Sequence, residues 1–313
     1  MNPVLFRTLF GGLFLFKIAV KTGLDLLNWS HIRQNAANIP GSLQNLVTPP
    51  EIARINDYNI AKIRFRLIFS LFNSLLLLVF FFSPLYPGFT GWIAALPAAF
   101  IFKGLAFFLI LGFCGWILDL PFNFFYHFRI EAAFGFNKYS IAGWFKDELK
   151  TLAIGSVLTI VILSIIFSIW ADPFSFRWGY VFLGWSIALV LVVLFMYLVP
   201  LILIPLFYKL TPLEDQDLGE KIAGLFQRSG LKVRGIFQAD ESSKSTHANA
   251  MIAGFGRSKT IILFDTLVNN YSREEIAAII AHEIGHGKRR HIFQLMALTI
   301  GELFLFILFA SYL

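Results

Sequence analysis

Ser272-Arg273-Glu274-Glu275-Ile276-Ala277-Ala278-Ile279-Ile280-Ala281-His282-Glu283-Ile284-Gly285-His286 is the stretch from which the rest of the chain is read. Ser272 with Glu275 three residues on, ahead of the apolar run Ile276 to Ala281, is a capping-box signature and predicts a helix starting there. On that helix His282 and His286 stand four apart, on one face and about one turn from each other. That spacing lets two imidazoles converge on a single zinc ion. Glu283 follows the first histidine, where its carboxylate reaches water activated by the metal. It would act as general base and then as proton donor to the leaving amine. The chemistry expected is peptide-bond hydrolysis with one Zn²⁺, metal ligands His282 and His286, and catalytic Glu283. The competing reading is a solvated helix face that carries a short pattern by chance. The capped start and the small neighbours Ala277, Ala278 and Ala281 favour the metal.

A catalytic zinc usually has three protein ligands. The extended pattern with a third histidine would need glycine at 289 and histidine at 292, and the chain has Arg289 and Ile292 there. Glu302 lies 16 residues beyond His286. On one continuous helix that is about 24 Å of rise, too far to share the metal. His291 ends the basic run Lys288-Arg289-Arg290 and reads as an interfacial residue rather than a ligand. The third ligand is expected beyond residue 313, with the chain read as the N-terminal portion of a longer protein. If the ligand is internal, Glu302 and His247 are the first suspects.

Outward from the motif, the composition sets the class. Of 313 residues 57% are hydrophobic and only 14% are charged, where a soluble domain carries about 25% charged residues. Lipid as solvent fits this better than a large core does. The single cysteine, Cys114, forms no intrachain disulfide and says little about redox compartment. A net charge of +7 would suit nucleic acid, but the basic residues concentrate in alternate loops, as the positive-inside rule requires. Membrane lipid is therefore the expected partner and nucleic acid is not.

A span needs about 20 apolar residues. Six stretches qualify: 4–28, 66–84, 98–118, 151–171, 178–207 and 292–313. Lys17 and Lys21 interrupt the first, and Pro200 and Pro205 kink or break the end of the fifth. Loop 29–65 carries Arg33, Arg54, Lys62 and Arg64, and loop 119–150 carries Arg129, Lys138, Lys146 and Lys150. Loop 85–97 has no Lys or Arg, and loop 172–177 has only Arg177. The basic loops are assigned to the cytoplasm.

Loop 208–291 alone has the composition of a soluble domain. Leu218 to Ser229 reads as an amphipathic helix with Leu218, Ile222, Leu225 and Phe226 on one face. Strands are predicted at Val233 to Ala239, Asn249 to Phe255 and Thr260 to Phe264, the last two joined by Gly256-Arg257-Ser258-Lys259. The fold class expected is a mainly α, polytopic membrane protein with a small α+β zinc-protease domain in its last long loop. Residues 1–207 form the membrane domain with five spans, 208–291 the metallopeptidase domain, and 292–313 a sixth span. The protein is expected to be multi-pass, with the zinc domain on the cytoplasmic side.

Further segments carry a resemblance. Glu131-Ala132-Ala133-Phe134-Gly135-Phe136-Asn137-Lys138 resembles the cytosolic loop motif of the type I CAAX prenyl endopeptidases, which are multi-spanning zinc proteases. Pro205-Leu206-Phe207-Tyr208-Lys209-Leu210-Thr211-Pro212-Leu213, Ser243 to Ala250 and Ile262 to Leu267 are similar to further family segments, in the same order. The chain departs from the family at Ala133, Tyr208 and Met251. The resemblance implies helical spans enclosing a water-filled chamber with the zinc at one end. It implies substrate extended along an edge strand at Asn249 and Ala250, and a glutamate third ligand after a further span. The implied partner is a peptide or protein substrate, with or without a prenyl lipid, cut near its C-terminus in CAAX processing. Residues 131–138 either touch that substrate or hold the loop by packing.

Three alternatives remain at this point. One is a membrane quality-control zinc protease without prenyl specificity. Another is a catalytically incomplete membrane fragment. The third is a transporter using Lys17, Lys103 and Asp119.

Overall fold

Thr48-Pro49-Pro50-Glu51 starts one of the longest helices. Proline is pre-organised for the first helical positions, and Glu51 returns to Thr48 through its backbone N–H and its hydroxyl, both at 2.8 Å. The computed structural model describes residues 3–36, 38, 41, 47–170, 177–198, 202–253, 258–289 and 291–310. Its first elements are α1 (Pro3–Gln34), α2 (Pro49–Phe82), α3 (Leu85–Ala95) and α4 (Phe100–Phe125), which runs on as a π-helical turn, Tyr126–Glu131. Then come α5 (Ile141–Trp170), α6 (Arg177–Leu198) and the short α7 (Ile204–Phe207).

Among the described residues four helices are long and apolar enough to cross a membrane: Pro49–Phe82, Phe100–Glu131, Ile141–Ser168, and the C-terminal α11 (His291–Ala310) over His291–Leu308. A shorter apolar stretch, Phe182–Leu194, lies in α6. The protein is thus an integral, multi-pass membrane protein. α1 carries Lys17, Lys21 and Asp25 and is not among the four. Asp25 is buried against the guanidinium of Arg66 on α2, which satisfies its charge away from water. The predicted loop 29–65 is largely helical, because α2 begins at Pro49. Loop 119–150 shrinks likewise between the π-turn and Ile141, and the predicted loop 85–97 holds α3. α6 ends at Leu198, ahead of Pro200, and Pro205 stands in the first turn of α7.

The chain divides into two compact units: Met1–Gly135 with Leu152–Ala171, and Phe136–Thr151 with Asp172–Leu313. The division falls within α5. The second unit contains a four-stranded sheet, β1 (Leu210–Pro212), β2 (Lys232–Ala239), β3 (Ala250–Ala253) and β4 (Ser258–Phe264), in the order β1-β2-β4-β3. β2 and β4 run parallel, and β1 and β3 pair antiparallel at the two edges. β1 has no counterpart among the predicted strands. The predicted turn at 256–259 loses Ser258 and Lys259 to β4, and residues 254–257 lie outside the described residues.

β4 is central and buried on both faces, so its sequence Ile261-Ile262-Leu263-Phe264 is continuously apolar rather than alternating. One face packs on α8 (Gln216–Ser229) through Leu218, Ile222 and Phe226, and on α10 (Arg273–Lys288) through Ile276, Ile280 and Ile284. The other face packs Ile262 and Phe264 beside Tyr208 and Met251. Each fully buried side chain of this size contributes roughly 1.5–3 kcal/mol. α8 is fixed at both ends. The Asp215 carboxylate accepts the Leu218 N–H at 3.0 Å, and Gly230 closes the helix at φ 76°, which a β-carbon disfavours.

Candidate metal centre

α10 starts as its sequence predicts. The Ser272 N–H donates to Glu275 Oε2 at 2.8 Å, and the Ser272 hydroxyl accepts from the Glu275 N–H at 3.3 Å. Lys221 of α8 pairs with Glu274, and Arg273 pairs with Asp215 at 2.8 Å and Asp217 at 2.9 Å. These contacts hold the first turn of α10 against α8. The carboxyl of Asp215 is held below its ordinary range, first by the Arg273 guanidinium.

With Ile276, Ile280 and Ile284 turned into the core, helical periodicity turns His282 and His286 away from it, and both are exposed. Their Nε2 atoms stand 3.0 Å apart. Two imidazole nitrogens each about 2.0–2.1 Å from one tetrahedral zinc lie ~3.3 Å apart. The pair therefore fits a shared zinc with a shift of a few tenths of an ångström. Glu283 is half-buried on the adjoining face, next to His282. Among the described residues no group of three His, Cys, Asp or Glu side chains is placed to hold a metal.

One expectation about the surroundings changes. The helix carrying the motif is not continuous with the last span: α10 ends at Lys288, and α11 starts at His291. The distance to Glu302 cannot be taken as the rise of one helix. His291, at the start of α11, places its Nδ1 2.8 Å from Nδ1 of His286.

β3 is an edge strand beside α10. Ala250 and Leu263 face each other with the Phe264 N–H donating to the Asn249 carbonyl at 3.0 Å, so this is a non-hydrogen-bonded pair. The backbone groups of Ala250 and Ile252 consequently point away from β4, along the open edge. The Ala250 side chain is buried in the core shared with α10, and the exposed Asn249 turns its Oδ1 onto the Ala250 N–H at 2.8 Å.

The family-like segments prove to be joined. Asn137 and Ser245 form an antiparallel bridge, with Lys138 N–H on the Lys244 carbonyl at 2.9 Å and Thr246 N–H on the Phe136 carbonyl at 3.0 Å. The ring of Phe136 stacks on His247, centroids 4.4 Å apart. Asn137 Oδ1 accepts the Tyr139 N–H at 3.0 Å, which makes it a turn residue. In the other unit Gly135 takes φ 80°, and the Arg54 guanidinium donates to the Phe134 carbonyl. Residues 134–138 are thus braced by backbone and side-chain contacts. Lys244 is the centre of this clasp. Its ammonium donates to Asp147 at 2.7 Å and to the Phe207 carbonyl at 2.5 Å, and it lies over the Tyr208 ring at 4.4 Å. Lys244 lies in the family-like segment Ser243 to Ala250, where the sequence assigns it no role of its own. A lysine between two serines inside a family-like segment was the available signal.

Residues 28–209 match the family model described as CAAX prenyl protease N-terminal, five membrane helices, and residues 212–313 match peptidase family M48. The chain is 32% identical over 287 residues to CAAX prenyl protease 1 of Saccharomyces cerevisiae, covering 88% of this chain and 62% of that protein. It is 31% identical to the CAAX prenyl protease 1 homolog of Dictyostelium discoideum, covering 86% and 64%. The chain thus spans under two thirds of the length of these relatives. The crystal structure of S. mikatae Ste24p superposes with a TM-score of 0.83 at 29% identity, over 96% of this chain and 70% of that one. With the family models running across both the membrane helices and the metal helix, the chain belongs to the CAAX prenyl protease group of peptidase family M48.

Proposed function

We propose that this protein is a membrane-embedded zinc metalloendopeptidase that cuts near the C-terminus of membrane-associated proteins. Prenylated CAAX proteins are the substrate class suggested by its relatives' names. The observation that carries the reading is the pair of imidazole Nε2 atoms 3.0 Å apart on an exposed helix face, with Glu283 between the two histidines. His282 and His286 hold the metal. When bound, zinc supplies Lewis-acid activation of water and of the scissile carbonyl. Glu283 takes the proton of the attacking water and delivers it to the leaving amine. The open edge of β3 receives the substrate as an added strand, through the outward backbone groups of Ala250 and Ile252. Asn249 Oδ1 releases the Ala250 N–H to let that strand pair. The zinc domain faces the cytoplasm, where prenylated C-termini are presented.

The test uses the full-length protein in lipid vesicles with a prenylated CAAX peptide and its unprenylated counterpart. Glu283→Ala loses turnover by roughly 100-fold or more while its zinc content stays at one per chain, and His282→Ala loses both. Retained turnover in Glu283→Ala removes the assigned base. Equal turnover of the two peptides removes the prenyl requirement and leaves the peptidase reading standing.

A further inference from the structure

His286 uses both of its ring nitrogens. Nε2 faces His282 at 3.0 Å, and Nδ1 faces Nδ1 of His291 at 2.8 Å. The two nitrogens of one imidazole point in different directions. A metal held on the Nε2 side is therefore not on the side where His291 sits. The His291 ring stands 4.9 Å from that of His286, at 77° to it, an edge contact in which one nitrogen meets the other. This geometry depends on the break between α10 and α11. Residues five apart on a continuous helix do not share a face, and His291 meets His286 because it opens a new helix.

We propose that His291 is a positioning residue for the zinc ligand His286, its Nδ1 accepting the hydrogen bond that His286 Nδ1–H donates. This rests on the zinc reading above. A neutral imidazole carries one proton and one lone pair. Fixing the proton on Nδ1 leaves the lone pair on Nε2, where the metal is held, and locks the ring about its bond to the helix. Metal-binding histidines are commonly oriented this way through their second nitrogen, and losing such a partner typically costs about 10–100-fold in metal affinity.

The experiment measures zinc stoichiometry and the zinc dissociation constant, by chelator competition, on the full-length protein in detergent. Wild type is compared with His282→Ala, His291→Ala, His291→Phe and His291→Asn, and the unfolding midpoint of each metal-free form is recorded. Phenylalanine keeps the ring without an acceptor. Asparagine puts Oδ1 near the place of Nδ1. The expected result is a roughly 10–100-fold weaker zinc affinity in the Ala and Phe variants, recovery in the Asn variant, and an unchanged midpoint in the Phe and Asn variants. Wild-type affinity in His291→Phe overturns the proposal. So does equal loss in the Asn and Phe variants. Loss of zinc as complete as in His282→Ala overturns it as well, since His291 would then be a ligand. A wild-type protein that binds no zinc removes the site reading itself, and this inference with it.

Discussion

Glu241 shows how a single residue is set by its surroundings. It is buried beside the clasp, and its Oε2 has no hydrogen-bond partner among the described residues. Burial pushes its carboxyl above the ordinary value of 4.5, and the Tyr208 hydroxyl and the Lys244 ammonium offset this only in part. A group whose folded pKa is raised contributes stability that is fully present below its unfolded pKa and is lost as pH rises through the folded one. At neutral pH the Glu241 carboxylate is therefore a net cost. Glu241→Gln is expected to raise the thermal unfolding midpoint in detergent at pH 7. It should also remove the part of the stability loss that wild type shows as pH rises from about 4.5 towards neutrality. A lower midpoint for the Gln variant at pH 7 would mean that attraction to Lys244 outweighs burial.

At the scale of elements, α10 is the part most fully written in the sequence. Its cap, its core face and its two histidines follow from spacing alone, because the cap closes within four residues and the periodicity marks the apolar face. α8 and the strand β3 were legible from their own patterns, the edge position of β3 only from the family resemblance. The polar first half of α2 was not, because a search for apolar windows is blind to helix that lies outside lipid, although Thr48-Pro49-Pro50-Glu51 is itself a start signal. α3 has only 11 residues, too short for a spanning criterion. β1 is three residues whose strand character comes from pairing with β2. The contact of His291 with His286 and the clasp at Lys244 depend on a helix break and on a partner about a hundred residues away, which no local pattern encodes. What local encoding gives α10 can be measured. Ser272→Ala removes the cap hydroxyl and should cost about 1 kcal/mol. The Glu275 carboxyl is held below its ordinary value by the Ser272 backbone N–H and hydroxyl. A depressed pKa contributes stability that is present above the unfolded value and lost as pH falls through the folded one. The gap between wild type and Ser272→Ala should therefore be widest at neutral pH and shrink on acidification below about pH 4. Unfolding midpoints across pH 3–7 measure this, and a gap that grows on acidification contradicts it.

At the scale of the whole molecule, the proposed orientation across the membrane is argued from where the cations fall. Arg54, Lys62 and Arg64 lie on the first half of α2 and Arg66 at its midpoint, Arg129 on the π-turn, Lys138 just beyond it, and Lys146 and Lys150 on the start of α5. In the first unit Arg54 bonds the Phe134 carbonyl, so the start of α2 and the end of α4 share one side. In the second unit Lys138 is paired by its backbone to Lys244. Residues 96–99, between α3 and α4, carry no Lys or Arg. The cytoplasmic orientation proposed above rests on the positive-inside rule, which puts loops rich in Lys and Arg on that side. In a Cys114→Ser background, Lys138→Cys should react with a membrane-impermeant maleimide only in inside-out vesicles or after permeabilisation. Ala98→Cys should react in intact cells. Both side chains replaced are exposed, and Lys138 pairs through its backbone, so neither change disturbs the fold. Labelling of Lys138→Cys in intact cells would invert the protein. The metal centre would then face away from the compartment in which a prenylated C-terminus is offered, and the substrate assignment would fall with the topology.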